Sequence, residues 1–144
     1  MVDSKASTVW QGDLFSGSGR ARLDSSSAGE FDVNWKSRAE SGGGGGTTTP
    51  EELLAAAHSA CFSMAFSNGL AQNGTPPERL DVSAVVSFVP GTGVTKSALT
   101  VVGRVPGLDA EKFQELAEDA KANCPVSKAL AGIDIVLESV SLDS

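Results

Sequence analysis

The chain is short of the side chains that hold metals and nucleic acids. Its 144 residues include 2 cysteines and 1 histidine, and Cys61, Cys124 and His58 do not make up the closely spaced set of about four Cys, His or carboxylate ligands that zinc requires. No metal and no cofactor is expected. Basic residues are also scarce: 11 Lys and Arg stand against 18 Asp and Glu, for a formal charge of -7 with no basic cluster. Such a surface repels phosphate backbones, which excludes nucleic acid as a principal partner. Long apolar runs are missing as well. Nothing approaches the roughly 18 apolar residues of a membrane span, and the opening MVDSKASTVWQGD has no apolar core of a signal peptide. The expected location is therefore the cytoplasm, with no membrane partner.

What remains is an ordinary globular composition, 40% hydrophobic and 20% charged, long enough to bury a core without staples. Residues 1–144 read as a single domain with no internal repeat. In a reducing compartment a static disulfide does not persist, so two cysteines point to catalysis or redox sensing.

Segments 7–11, 19–23 and 29–35 read as short runs broken by Gly, Ser and Asp turn clusters, predicting three antiparallel strands. Gly42 to Gly46 is too costly in backbone entropy for regular structure and is expected to be a flexible loop. Thr47-Thr48-Thr49-Pro50-Glu51-Glu52 combines an N-cap hydroxyl, proline in the first turn and two acids at the positive end of the dipole. The helix it starts should run to about Asn68-Gly69, and because Leu53 to Phe66 is apolar or small nearly all round, it should be buried on most faces. A hairpin over 80–89 and 95–105, an amphipathic helix over 109–121 stopping near Cys124-Pro125, a short turn of helix and a last strand over 133–140 complete the chain. Helices and strands do not alternate regularly, which predicts α+β.

Cys61 falls in mid-helix, where a cysteine is commonly a small core hydrophobe, whereas Cys124 falls at a helix end before proline, where its side chain can face a cleft. A thiol acts as a nucleophile only as thiolate, so a nearby cation is needed. Arg38, just before the glycine tract, is the leading choice, and Arg20 in Gly17-Ser18-Gly19-Arg20 is the other. His58, three residues before Cys61, shares its helix face. A Cys/His hydrolase pair is disfavoured because mid-helix offers no free N–H groups for an oxyanion hole, so a packed, hydrogen-bonded histidine is expected.

Thr49-Pro50-Glu51-Glu52-Leu53-Leu54-Ala55-Ala56-Ala57-His58-Ser59-Ala60-Cys61-Phe62-Ser63-Met64-Ala65 and the later Asn123-Cys124-Pro125-Val126-Ser127 resemble the signatures of the osmotically inducible protein C and organic hydroperoxide resistance family. His58 and Ser63-Met64 side with the osmotically inducible branch. The resemblance implies antiparallel sheets wrapped around a long buried central helix in an intertwined homodimer, and a cysteine-based peroxidase of the oxidative and osmotic stress response. It makes Cys61 the peroxidatic thiolate, Cys124 the resolving thiol, Arg38 the activating cation and Glu51 the acid that orients it. The implied partners are an organic hydroperoxide, reduced in preference to inorganic peroxide within a pocket lined by Leu54, Phe62, Met64 and Phe66, and an external dithiol of lipoyl type. The alternatives are a cysteine-pair redox sensor and a nonenzymatic stress protein.

Ten residues of straight helix separate Glu51 from Cys61 by about 15 Å and turn them off a common face. A cluster of Glu51, Arg38 and Cys61 therefore requires either a break in the helix between 51 and 61 or Glu51 reaching across from a partner chain.

Overall fold

The computed structural model describes residues 1–143. The chain begins with β1 (Ala6–Gln11), β2 (Ser18–Leu23) and β3 (Glu30–Val33), which pair antiparallel in sequence order. A π-helical turn, Ser37–Ser41, and the glycine tract then lead into the two-residue β4 (Thr47–Thr48), which pairs parallel with β3. The long helix α1 (Pro50–Gln72) follows. The rest is a second sheet and its cover: β5 (Arg79–Val89), β6 (Gly93–Arg104), α2 (Ala110–Asn123), α3 (Pro125–Ala129) and β7 (Asp134–Leu142), with β6 central between an antiparallel β5 and a parallel β7. No described helix is long and apolar enough to cross a membrane.

The expected α+β class holds, and the sheets are mixed rather than wholly antiparallel. The reason lies in the connections: the hairpin turn from β5 returns the chain antiparallel, while the α2–α3 crossover carries it back to enter β7 parallel to β6.

Helix α1 starts where its caps put it. Thr49 Oγ1 accepts from the Glu52 amide at 3.0 Å, with Pro50 in the first turn. The helix continues past the expected Gly69 to Gln72, because a single glycine costs only about 1 kcal/mol in a helix interior and Leu70 behind it is fully buried in the core.

His58, Phe62, Phe66 and Leu70 are all fully buried and recur every fourth residue, so they form one stripe. This stripe packs with Phe113 and Ala117 of α2, Leu99 and Val101 of β6, and Cys124. Phe66 and Phe113 meet with ring centroids 4.9 Å apart, and each buried aromatic of this kind contributes roughly 1.5–3 kcal/mol of transfer free energy. The opposite side of α1 is bare: Ala56, Ala57 and Ala60 are exposed and Met64 is 70% exposed. Burial on most faces is thus not met within one chain, whose two other helices and second sheet cover only one side of α1.

The glycine tract is a shaped turn. All five residues have positive φ, from 60° at Gly45 to 139° at Gly44, and Gly44 exchanges backbone hydrogen bonds with Thr47. Side chains rarely enter that region, so glycine here supplies conformation as well as freedom.

Candidate active site

Two groups of expected site residues form, one at each end of the first three turns of α1. The first surrounds Arg38, which the π-helical turn Ser37–Ser41 presents to the start of α1. Its Nε donates to both carboxylate oxygens of Glu51, at 3.1 and 3.3 Å, and its Nη2 donates to Oε1 at 2.9 Å. Glu51 is 5% exposed, so its charge is matched by a forked, largely dehydrated pair. The guanidinium also lies over the Phe88 ring, 4.3 Å from its centroid, and Phe88 is held edge-on by Trp35. Arg38 and Glu51 of the same chain therefore meet directly.

Arg20 is committed elsewhere. It bridges Glu30 at 3.1 Å and Asp32 at 2.8 Å on the exposed face of β2 and β3.

The second group holds the sulfurs. Cys61, half-buried on α1, packs against the core cluster that contains Cys124, fully buried between α2 and α3, and each sulfur is close enough to perturb the other's titration. Both thiols are free. Cys124 does not face an open cleft, because α1, α2 and β6 close over the helix junction it caps.

His58 lies beneath the pair. Its Nδ1 is 2.7 Å from Ser97 Oγ on β6 and its Nε2 is 2.8 Å from Ser127 Oγ on α3, and Ser127 belongs to the turn that Cys124 caps. The expected packed, hydrogen-bonded histidine is what forms, since both ring nitrogens are taken by serines rather than by Cys61.

The OsmC-like protein family profile matches residues 42–138, from the glycine tract into β7. The chain belongs to the OsmC-like family. This OsmC-like chain is 39% identical over 132 residues to the peroxiredoxin OsmC of Escherichia coli K12, covering 90% of each. Among solved structures it is similar to the organic hydroperoxide resistance protein OhrB of Bacillus subtilis, with 28% identity, a TM-score of 0.66 and coverage of 96% and 98% of the two chains. The OsmC-like protein of Mycoplasma pneumoniae shares the fold at a TM-score of 0.70 with 16% identity over 99% of both chains. Glu51, Cys61 and Cys124 lie inside the matched span, while Arg38 precedes it.

Reactivity within the OsmC-like chain follows from what each sulfur touches. Burial pushes the Cys61 thiol up, the neighbouring Cys124 adds to this, and the Val126 amide offsets only part of it. Burial raises Cys124 too, but the Ser127 amide, the contact with Cys61, the Ser127 hydroxyl and the Val126 amide together bring it below the ordinary thiol value. Among the described residues no cation contributes to Cys61. The lining once expected from Phe62 and Phe66 is not available, because both are fully buried core, and Met64 is on the bare face. An apolar cavity of about 340 Å³ lies instead beside Arg38, walled by Trp10, Leu14, Trp35, Pro50 and Leu53.

Phe88, Ser97 and Ser127 were not legible as site residues. Ser127 alone had a sequence cue, its place in the Cys124-Pro125-Val126-Ser127 run.

Proposed function

We propose that this protein is a thiol-dependent peroxidase that reduces organic hydroperoxides to alcohols. The observation that carries the reading is the juxtaposition of Cys61 and Cys124, brought together in the core from mid-α1 and the α2–α3 junction, with Cys61 partly exposed and Cys124 fully buried. The names of the relatives, a peroxiredoxin and an organic hydroperoxide resistance protein, support it.

The Cys61 thiolate attacks the distal peroxide oxygen. The O–O bond breaks, the alkoxide takes a proton and leaves as alcohol, and Cys61 becomes a sulfenic acid. Cys124 then attacks the Cys61 sulfur and displaces hydroxide, which leaves as water with the Cys124 proton, and a disulfide forms. An external dithiol of lipoyl type returns both thiols. The apolar walls of the cavity beside Arg38 favour the carbon chain of an organic peroxide over hydrogen peroxide.

Activation of Cys61 needs a cation, and Arg38 with Glu51 sits about 15 Å away along the helix of the same chain. In this reading the protein works as a homodimer, in which the Arg38–Glu51 pair of one chain covers the sulfurs of the other. The bare side of α1 and the exposed Val9, Trp10 and Phe15 of the first sheet and its β1–β2 turn supply the surface for it.

The deciding experiment is steady-state reduction of cumene hydroperoxide with a dithiol. Wild type turns over; Cys61→Ser does not; Cys124→Ser is oxidised once and then stalls or overoxidises. Retained turnover in Cys61→Ser would refute the reading, and a redox sensor would show oxidation without sustained turnover.

A further inference from the structure

Resting on the peroxidase reading, we propose that His58, Ser97 and Ser127 form a positioning chain for Cys124, aiming the Ser127 hydroxyl at its sulfur as it departs during reduction of the Cys61–Cys124 disulfide. His58 is the one fully buried titratable side chain among the described residues that the peroxide chemistry leaves unused. Burial holds its pKa below the ordinary imidazole value, so the ring is neutral at pH 7.

A neutral imidazole has one N–H and one acceptor nitrogen. Ser127 bonds His58 Nε2, and three residues after Cys124, in the buried turn that Cys124 caps, it is close enough to shift that sulfur's titration; it has one hydroxyl proton to give. When Cys124 is a thiol, its S–H donates to Ser127 Oγ, whose proton goes to Nε2. When Cys124 carries charge, Ser127 must turn its proton to the sulfur, which requires Nε2 to hold the N–H and Nδ1 to accept. The Ser97 hydroxyl, 2.7 Å from Nδ1, completes that second arrangement. The serines on both sides let one neutral ring serve both states by exchanging tautomers, with no change in its charge.

Exposure decides where this matters. Cys124 is fully buried and Cys61 is not, so an incoming thiolate attacks Cys61 Sγ. The S–S bond breaks and its electron pair passes to Cys124 Sγ, the sulfur at the start of the turn that carries Ser127. The second thiol of the dithiol then attacks its own sulfur in the mixed disulfide and releases Cys61 as thiolate. Each cysteine takes one proton and the dithiol leaves as a cyclic disulfide, so two electrons and two protons are accounted for.

The test separates the half-reactions of the full-length protein. Reduced protein is oxidised with one equivalent of cumene hydroperoxide, and the disulfide is then reduced by dihydrolipoamide under single-turnover conditions. Losing one hydrogen bond to a charged group corresponds to a slowing of about ten- to a hundredfold. Ser127→Ala should slow disulfide reduction by that factor, and by more than it slows sulfenic acid formation; Ser127→Thr should restore the rate, and His58→Gln should behave like Ser127→Ala. With a monothiol as reductant, the trapped mixed disulfide should map to Cys61. Equal slowing of both half-reactions, an unchanged reduction rate in Ser127→Ala, or a mixed disulfide at Cys124 would overturn the proposal. Failure of the wild type to form the disulfide would instead refute the peroxidase reading beneath it.

Discussion

Arg38 and Arg20 show how one residue type takes two roles by its surroundings. Arg20 is matched by two exposed carboxylates on its own sheet, a kind of pair worth at most about 1 kcal/mol. Arg38 is half-buried, forked onto a buried Glu51 and stacked on Phe88, so its direction is set before any peroxide arrives. A neighbouring cation lowers a thiol pKa by roughly 1–3 units. In a Cys124→Ser background, Arg38→Ala should therefore slow iodoacetamide alkylation of Cys61 near neutral pH by about tenfold or more, with Arg20→Ala as the unaffected control. Slowing by Arg20→Ala alone would reassign the cation. His58 gives a second prediction at this scale. Its folded-state pKa is depressed by burial, so the unfolded chain binds the proton more readily, and stability present above the ordinary value near 6.5 is lost as pH falls below it. Urea denaturation from pH 7 to 5 should show this loss in wild type and less of it in His58→Gln.

Among the elements, β6 and α2 meet through the absence of a side chain. Gly103 is buried on β6, and a Cβ there would collide with the ring of Phe113 from α2. Gly103→Ala should destabilise by about 1–3 kcal/mol, the usual cost of overpacking, and Phe113→Leu in the same chain should recover part of it; an unchanged denaturation midpoint would show that α2 shifts freely. This joint is relevant to chemistry because α2 delivers Cys124 at its C-terminal end. Loosening it should lower peroxidase turnover along with stability.

At the level of the whole molecule, one chain leaves its first sheet and one side of its longest helix uncovered. Every position of β1 is exposed, and Met64, Phe15 and Val9 are each more than two-thirds exposed. Stable interfaces generally bury more than about 1,000 Å² in total, and this apolar surface is the place for one. Sedimentation at micromolar concentration should show a dimer, and Met64→Glu should weaken it and reduce peroxidase turnover together. A fully active monomer would refute both the dimer and the placement of Arg38 across it.

Local chemistry made much of this legible in the sequence. Thr49, Pro50 and the first-turn acids mark the start of α1 because capping acts within one turn of helix, and β5 and β6 are marked by their runs of strand-favouring residues on either side of the Pro90-Gly91-Thr92-Gly93 turn. Cys61 and Cys124 stood out because a reducing compartment, the one expected from the sequence, would give a cysteine pair few other uses. Tertiary structure alone decided the rest. The parallel entry of β7, the seating of His58 between Ser97 and Ser127, and the stacking of Phe88 on Arg38 join residues distant in the chain. Burial of α1 on one side only was equally hidden, since periodicity shows that a surface is apolar and not which element, or which chain, covers it. The meeting of the two sulfurs was hidden too, because Cys61 comes from α1 and Cys124 from the α2–α3 junction, and only the packing of those helices brings them together.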